Sequence, residues 1–346
     1  MSEGLWVAAK VGFALFFGLN LAGLLGWVER KQSAVLQDRI GANRASIFGL
    51  RLLGLFHPLA DALKMLTKED FVPAQVRRPF HTLAPILSLG FALAALATLP
   101  FGGVVEVGGR SWSLQPIESE VSLLIALGLL SLGVHGVMMA GYASSSNYGL
   151  LGSLRGAAQM ISYEVCIAAT LAAAAFLYGT LDLQRAVAAQ GRLLGGWLPA
   201  WGIFLQPIGF LLFLTAGAAV TKRTPFDVPE GEAEIVGYHV EYSGMKFGMF
   251  LMTDFVESIV ICGLVATLYL GGWQVPFVEL SGAWGGLLMV ASFTVKVLVL
   301  LFVLMQVRWT LPRFRFDQVL DLGWKNVLPL ALANFALTIW VVSLWR

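Results

Sequence analysis

Five of the chain's 21 acidic residues fall within one short stretch that follows an apolar run and leads into the next. The stretch, residues 221–243, reads TKRTPFDVPEGEAEIVGYHVEYS, and its acids are Asp227, Glu230, Glu232, Glu234 and Glu241. Carboxyl groups that crowd together or leave water raise one another's pKa, so they can hold and pass protons near neutral pH. The stretch is therefore a candidate proton path.

The spacing of these acids predicts a helix. Asp227 and Glu230, with a proline between them, fit a helix start in which the first side chain caps and the second reaches back. If the helix continues at about 100° per residue, Glu230, Glu234 and Glu241 lie within about 40° of one another. Glu232 would point away. The alternative is that the acids only favour a helix N-terminus and are otherwise solvated. It accounts for the first two acids, but not for Glu234 and Glu241, which lie beyond the first turn.

Further charged residues lie inside apolar runs. Glu164 occurs in AAQMISYEVCIAAT, and Asp254 and Glu257 occur in FLMTDFVESIVICG. A charge at membrane depth is costly and should face protein or water, so each acid marks a candidate functional position. Lys246, five residues after one of the clustered acids, and Lys296 are candidate counter-ions.

The composition indicates which elements must hold these charges. Of 346 residues, 58% are hydrophobic and only 13% are charged, with a net charge of +2, and the mean hydropathy is +0.77. A soluble domain is about one-quarter charged, a disordered chain needs low hydropathy, and a nucleic-acid-binding protein shows a basic excess. We therefore expect an all-α, polytopic membrane helix bundle. The chain has no CxxC or HExxH pattern, so we predict no metal site.

Eight apolar stretches approach the length of about 20 residues that a membrane span needs. They lie at about 5–27, 82–101, 120–141, 157–178, 200–221, 237–270, 283–307 and 326–345. Lys and Arg are concentrated in the odd-numbered connections, which predicts that these face the cytoplasm and that both termini face the other side. We expect a single membrane domain over residues 1–346, with a cytoplasmic or interfacial connection at 28–81 and an acidic cytoplasmic loop at 222–236.

The first of these connections carries an amphipathic pattern. Apolar residues recur at helical spacing between positions 52 and 66, while Arg51, Asp61, Lys64 and Lys68 take other positions. The pattern predicts a helix at the membrane surface, interrupted near Pro58. Such a helix is either a simple interfacial anchor or a shelf that walls a cavity or docks a peripheral partner, and periodicity alone favours the anchor.

Five segments together resemble a known family. In chain order they are GWVERK, LQDRIGANR, HPLADALKMLTKEDFVP, LLGSLRGAAQMISYEV and RTPFDVPEGEAEIVGYHVEYSGMKF. The resemblance covers nearly the whole chain, and the family is the H subunit of proton-translocating NADH–quinone oxidoreductase, respiratory complex I. It implies a multi-pass protein of the bacterial inner membrane, at the junction of the membrane arm and the peripheral arm. In this family the chain forms most of the membrane side of the quinone channel.

The resemblance also implies roles for individual residues. The residues that would line or frame the quinone channel are Arg39, Asn43, Asp61, Lys64, Arg223, Phe226 and Asp227. Those that would form the proton coupling path are Glu164, Asp227, Glu230, Glu232, Glu234, Glu241 and Asp254. The resemblance implies no complete active site and no bound cofactor in this chain alone. Quinone would be the substrate, and FMN and iron–sulfur clusters are expected on partner subunits of the complex.

The chain departs from the family pattern at several positions. Ala42 stands where the family usually has Pro, His57 stands where it usually has Gln, and a short insertion lies around residues 51–56. Asp254 stands where the family commonly has Glu. The residue three before the Arg of RTPFD is often Glu, but here it is Val220. This change removes one candidate acid at the cavity edge, and nearby acids could substitute for it.

Three other interpretations compete with this one. Membrane-bound hydrogenases and ferredoxin- or F420-linked complexes carry a similar protein, although the long ERK…KEDF block and EYSGMKF favour the quinone-linked form. A free-standing secondary transporter would show internal repeats, and the sequence has no convincing one. A purely structural anchor for peripheral subunits leaves the buried acids unexplained.

Overall fold

Helices make up most of the protein. The computed structural model describes residues 3–107, 110–194, 198–231, 234–235, 237–276, 278 and 282–345. In the described chain the helices are α1 (Glu3–Leu36), α2 (His57–Thr67), α3 (Arg78–Leu96), α4 (Ser122–Ser144), α5 (Asn147–Tyr178), α6 (Leu183–Ala189), α7 (Gly202–Leu205), α8 (Pro207–Val220), α9 (Gly244–Tyr269), α10 (Gly282–Thr310), α11 (Phe316–Asp321) and α12 (Leu328–Trp345). Two antiparallel hairpins pair β1 (Val104–Val107) with β2 (Arg110–Ser113) and β3 (Leu193–Leu194) with β4 (Leu198–Pro199).

The expected all-α, polytopic bundle is confirmed. Among the described residues, seven helical segments are long and apolar enough to cross a membrane. They are α1, α3, α4, α5, α9, α10 and the run from α11 to α12, whose halves join through a π-helical turn at Leu322–Val327. The predicted span at 200–221 is broken into α7 and α8, because Gln206 leaves the helical backbone conformation and Pro207 begins a new helix. With 14 residues, α8 rises only about 21 Å.

The most buried element is α9, which packs against α1, α3, α8 and α10. Every residue from Val256 to Tyr269 is buried. Two acids, Asp254 and Glu257, lie in the buried part of this helix. The central position of α9 therefore carries both carboxylates into the middle of the bundle.

The odd-numbered connections meet at one end of the bundle. The amide of Arg77 donates to the carbonyl of Ala143 at 3.2 Å, and the amide of Phe314 donates to the carbonyl of Pro225 at 3.1 Å. At the other end, the amide of Leu123 donates to the carbonyl of Leu181 at 3.0 Å. The connections thus alternate between two ends, as the distribution of Lys and Arg requires.

Helix α1 is tied to its surroundings at both ends. Near its start, Lys10 Nζ lies 2.5 Å from Glu118 Oε1; the side chain of Lys10 is buried, whereas that of Glu118 is about half exposed. Close by, the rings of Trp6 and Trp112 lie 4.8 Å apart between their centroids. Near its end, Glu29 pairs with two arginines that are described below. Both ends of the helix are therefore held by ion pairs.

Two local predictions have different outcomes. The predicted interruption near Pro58 is confirmed: a 3₁₀ turn at Leu52–Gly54 ends before α2 begins at His57, and the proline occupies the first turn of α2, where its missing N–H costs nothing. None of the residues of α2 is buried, so it lies on the bundle surface. The described residues of 221–243 form turns and no helix, and α9 begins only at Gly244. The left-handed backbone at Gly237 (φ 116°) breaks the predicted helix between Glu230 and Glu241.

Candidate functional site

A lysine and two carboxylates form an ion cluster inside the bundle, here named the buried cluster (Lys222, Asp254 and Glu257). Lys222 follows α8, and its Nζ lies 3.0 Å from Asp254 Oδ1 and 3.3 Å from Glu257 Oε2. The two acids are three residues apart, so they lie on the same side of α9. Burial opposes the charge on Lys222, but the two carboxylates raise its pKa well above the usual value. The lysine is therefore a cation held between two acids.

A second ion cluster, the arginine cluster, consists of Glu29, Arg223 and Arg308. Glu29 of α1 lies 3.1 Å from Arg223 Nη1 through one carboxylate oxygen and contacts Arg308 of α10 through the other. The guanidinium of Arg223 also lies 4.0 Å from the centre of the Phe255 ring. Two cations share one carboxylate, so the cluster carries excess positive charge and favours an anionic or electron-rich ligand.

The loop between α8 and α9 forms two further pairs. Arg313 Nη2 lies 2.6 Å from Asp227 Oδ2, and His239 Nδ1 lies 3.4 Å from Glu230 Oε1. Burial and the charge of Glu230 raise the pKa of Asp227 to about 6, against the opposing effect of two arginines. Burial disfavours the charged forms of Glu230 and His239, but their attraction for each other is the larger effect. The pKa of Glu230 is therefore lowered and that of His239 is raised.

The remaining acids of the stretch have separate surroundings. Glu234 Oε2 lies 2.8 Å from Arg155 Nη1 on α5. Glu241 is half-buried, and its backbone carbonyl lies 3.3 Å from Nε2 of the buried His81. Glu232 lies outside the described residues. The predicted common helical face of Glu230, Glu234 and Glu241 is wrong, because the segment that carries them is not a helix.

Glu164 continues the series of acids into α5. Its Oε1 is buried without a hydrogen-bond partner among the described residues, and the charge of Glu257 acts on its carboxyl group. Glu257 approaches α4 at Gly133, where a Cβ would lie 3.4 Å from its Oε1. A line of carboxyl groups thus runs from the buried cluster past α4 to α5.

Two chambers and a cleft lie around the arginine cluster. The first chamber, of about 440 Å³, is lined by Glu29, Arg30, Ser33, Arg39, Ile40, Gly41, Ala42, Asn43, Arg44, His57 and Trp309. The second, of about 390 Å³, is lined by Thr224, Asp227, Glu230, His239, Arg308, Trp309 and Arg313. Trp309 lines both chambers, so they are neighbours. Each volume is within the range of about 300–1,000 Å³ typical of small-molecule sites.

The cleft is narrower and mostly apolar. It lies between α1, α8, α9 and α10, and its lining includes Arg223 and Arg308 as well as Thr221 and Ser258. At about 30 Å³ it has room for a water molecule, which needs about 10–15 Å³. The cleft therefore extends from the arginine cluster toward the part of α9 that carries the buried cluster.

The residues implied for the quinone channel lie in different surroundings. Arg39 and Asn43 line the first chamber, and Asp61 pairs with Arg30 of that chamber at 2.6 Å. Arg223 belongs to the arginine cluster and Asp227 lines the second chamber. Lys64 is exposed on α2. The ring of Phe226 is buried against Tyr163 and Phe314.

The lysines inside apolar runs have structural partners. Lys246 Nζ lies 2.8 Å from Asp70 Oδ2, a residue of the first connection, rather than at Glu241. Lys296 donates hydrogen bonds to the carbonyls of Gly272 and Gln274 at 2.8 and 2.7 Å, and lies over the ring of Trp201. Lys296 therefore fastens the connection after α9.

Several residues at the site were not singled out from the sequence. Glu29 and Lys222 had no assigned role, although each ionises next to an apolar run, which is a usable signal. His239 and Arg313 carry no such signal, because only the folded chain brings them to Glu230 and Asp227. Gln159 of α5 was also missed: its Nε2 donates to the carbonyls of Ala219 and Phe226, both at 2.7 Å, and so positions the loop.

Comparisons with known proteins give a consistent result. A family model described as NADH dehydrogenase matches residues 9–339. The second H subunit of NADH-quinone oxidoreductase in Geobacter sulfurreducens is 44% identical over 335 residues, which are 96% of this chain and 95% of that protein. The H subunit of NADH-quinone oxidoreductase in Thermomicrobium roseum is 42% identical over 348 residues, with coverage of 99% and 98%. NADH-quinone oxidoreductase subunit 8 of Rhodothermus marinus is 38% identical, with full coverage of both chains.

Proposed function

Because the chain belongs to the NADH dehydrogenase family, among the H subunits of NADH-quinone oxidoreductase, we propose that it guides a quinone to its reduction site and couples that reduction to proton translocation. The observation that carries this proposal is the arginine cluster, which lies between two chambers and a cleft that leads toward buried acids. The names of the relatives also favour this function over a role in a hydrogenase or as a free-standing transporter.

The first chamber and its surroundings suit an amphipathic ligand. A quinone has an apolar tail and a headgroup whose oxygens accept hydrogen bonds. Helix α2 presents Leu59, Leu63 and Leu66 outward and is tied to α1 through the pair of Asp61 with Arg30. The tail would pass along this apolar surface, and the headgroup would meet the guanidinium groups of Arg39 and the arginine cluster.

The coupling step is electrostatic. Reduction places negative charge or basic oxygens on the headgroup, and this change alters the balance at the arginine cluster. Arg308 lines the second chamber together with Asp227 and Glu230, so the change acts on carboxylates of the same chamber. Protons taken up there would continue through the cleft to the buried cluster and on to Glu164. Glu232, Glu234 and Glu241 would supply protons from the loop side.

The same proposal implies where the chain lies and which partners it contacts. The chain would lie in the bacterial inner membrane, with the odd-numbered connections in the cytoplasm and in contact with peripheral subunits. Partner subunits would carry FMN and the iron–sulfur clusters that deliver electrons, and lipid would surround the remaining helices. Among the described residues, no group of three or more His, Cys, Asp or Glu is arranged to hold a metal ion.

The quinone part of the proposal is tested with Arg223→Gln in the assembled complex. We expect the quinone KM to rise about tenfold or more, since hydrogen bonds to charged groups contribute about 1.5–3 kcal/mol. The matched control is Arg315→Gln, an exposed arginine outside both chambers. A KM that is the same in both variants and in the unaltered protein would contradict the proposed role.

The coupling part is tested with Glu234→Gln and Glu241→Gln. Each substitution keeps the size of the side chain but removes its proton, so we expect less proton transport or slower quinone reduction. The measurements are NADH-driven quinone reduction and proton uptake by vesicles that contain the complex. Unchanged rates and proton stoichiometry in both variants would exclude the loop acids from the path.

A further inference from the structure

The carboxyl that is absent at position 220 has a neighbour that can replace it. Val220 is the last residue of α8 and is buried. Gly217 of α8 faces Ile261 of α9, so closely that a Cβ would lie 2.3 Å from Ile261 Cγ2. Because the two helices run in opposite directions, the chain one turn further along α8 faces α9 near Glu257. Thr221 and Ser258 line the same cleft, which agrees with this register.

The charges of the buried cluster do not balance. With Lys222 as a cation and both acids ionised, the cluster has a net charge of −1 in an environment from which water is largely excluded. Binding of one proton to either carboxylate makes the cluster neutral, and a low dielectric favours the neutral state. Among the described residues, the other charged or titratable groups that act on the cluster are Glu164 from α5, and Arg223, Glu230, Tyr238 and His239 from the loop.

The cluster also has an unused polar partner. The hydroxyl of Tyr238 is buried and has no hydrogen-bond partner among the described residues. It is close enough to Lys222, Asp254 and Glu257 for their charges to act on it. A buried hydroxyl without a partner is satisfied by a water or by a carboxyl group in either protonation state. This observation is independent of the charge count and leads to the same place in the bundle.

We propose that Lys222, Asp254 and Glu257 form a store for one proton on the coupling path, in which Glu257 takes the role of the carboxyl missing at position 220. A proton arriving through the cleft forms an O–H bond with one carboxylate, and the cluster changes from −1 to neutral. Release breaks that bond and transfers the proton toward Glu164. Lys222 fixes the capacity at one proton, because it compensates only one of the two acids.

This inference rests on the proposed function, and the first experiment tests Glu257 in the reconstituted complex. We expect Glu257→Gln to lower NADH-driven proton transport about tenfold, less than the full 10²–10⁴-fold effect of a proton-transfer group because Asp254 remains. Glu257→Asp retains the proton-binding group and should retain transport. Adding Val220→Glu to Glu257→Gln returns an acid to the other side of the same contact, and we expect it to restore most of the transport. Glu120→Gln is the matched control, since Glu120 is 84% exposed at the opposite end of the bundle.

Each outcome has a defined meaning. Equal transport in Glu257→Gln and the unaltered complex overturns the inference, and so does a loss that neither Glu257→Asp nor Val220→Glu corrects. If Glu257→Gln fails to assemble, the test is the infrared spectrum of the Glu257→Asp complex. We expect its pH-dependent carboxyl band to be shifted relative to that of the unaltered complex. An unshifted band overturns the inference. An unaltered complex that reduces quinone without moving protons contradicts the proposed function rather than this cluster.

Discussion

At the scale of single residues, the charge of the site depends on a few acids that each hold a defined cation. Glu29 is the only carboxylate within salt-bridge distance of Arg223 or Arg308 among the described residues. The three side chains are less than one-third exposed, so the pairs are only partly screened by water. The position of both guanidinium groups therefore depends on one residue at the end of α1.

Substitution of Glu29 by Gln should release both arginines. We expect loss of one charge-assisted partner for each, a cost of about 1–3 kcal/mol in stability, together with a higher quinone KM. The measurements are the thermal unfolding midpoint of the purified complex and the kinetics of quinone reduction. Glu120→Gln again serves as control, and equal values for the two variants would show that Glu29 does not position the arginines.

A second residue-scale prediction concerns pH. The pKa of Asp227 is about 6 in the folded chain, above its ordinary value of 3.8. Proton binding at Asp227 therefore stabilises the folded chain. This stabilisation is complete below the ordinary pKa of 3.8 and is lost as the pH rises through about 6. Because the ionised form pairs with Arg313, we expect quinone reduction to fall below about pH 6.

The sign of this effect can be checked by substitution. Arg313 lowers the pKa of Asp227, so Arg313→Gln should move the acidic limb of the pH–rate profile to higher pH. Asp227→Asn should remove that limb, and Arg315→Gln should leave it in place. A limb that stays at the same pH in Arg313→Gln would assign it to another group.

At the scale of secondary-structure elements, the sequence predicts long helices better than it predicts the loop that carries the acids. The long spans are predictable because about 20 apolar residues in succession have few alternatives in a membrane. The helix predicted within 221–243 is wrong because an Asp-x-x-Glu spacing fits a helix start equally well whether or not the chain continues as a helix. The shape of this loop depends on tertiary contacts, such as Gln159 with the carbonyls of Ala219 and Phe226.

In the candidate site, too, some residues can be predicted from the sequence and others depend on tertiary contacts. Asp254 and Glu257 can be recognised as a pair because they lie three residues apart in an apolar run. Their partner Lys222 cannot be, since it lies in a different element and the sequence marks it only as part of a basic connection. Lys246 shows the opposite error: its proximity in sequence to Glu241 suggests a pair, but α9 directs it to Asp70.

The contact between α8 and α9 gives a prediction at this scale. Gly217→Ala would place a Cβ 2.3 Å from Ile261 Cγ2 in a buried interface, and overpacking of this kind costs about 1–3 kcal/mol. We expect a lower thermal unfolding midpoint and less assembled complex. Gly128→Ala on α4 is the control, because its Cβ would meet nothing within 4 Å. If the clash is the cause, Gly217→Ala should lower stability much less in a chain that already carries Ile261→Ala, although Ile261→Ala by itself also lowers stability.

At the scale of the whole molecule, the ends of the bundle differ in chemistry. The odd-numbered connections hold both chambers and most of the ion pairs, whereas the opposite end holds the hairpins. Both native cysteines, Cys166 and Cys262, are buried. Single exposed cysteines can therefore be labelled without first removing the native ones.

This property allows a direct test of orientation. We expect Arg315→Cys to react with a membrane-impermeant maleimide only in inverted vesicles, and Glu120→Cys only in right-side-out vesicles. Both positions are exposed, with side chains 73% and 84% accessible. The reverse pattern would place the chambers outside the cell and would contradict the expected topology.

The attachment of α1 at both ends has a mechanical consequence. Lys10 holds one end through Glu118, and Glu29 holds the other through two arginines. A slide of the helix by a single residue would be a shift of about 1.5 Å, enough to break one of these attachments. If a bound ligand moves the two arginines, we expect α1 to bend or rotate together with Glu29, and the Lys10–Glu118 pair near the other end of the helix to change with it. The loop that carries Glu118 would then respond to ligand binding in a chamber on the opposite side of the bilayer.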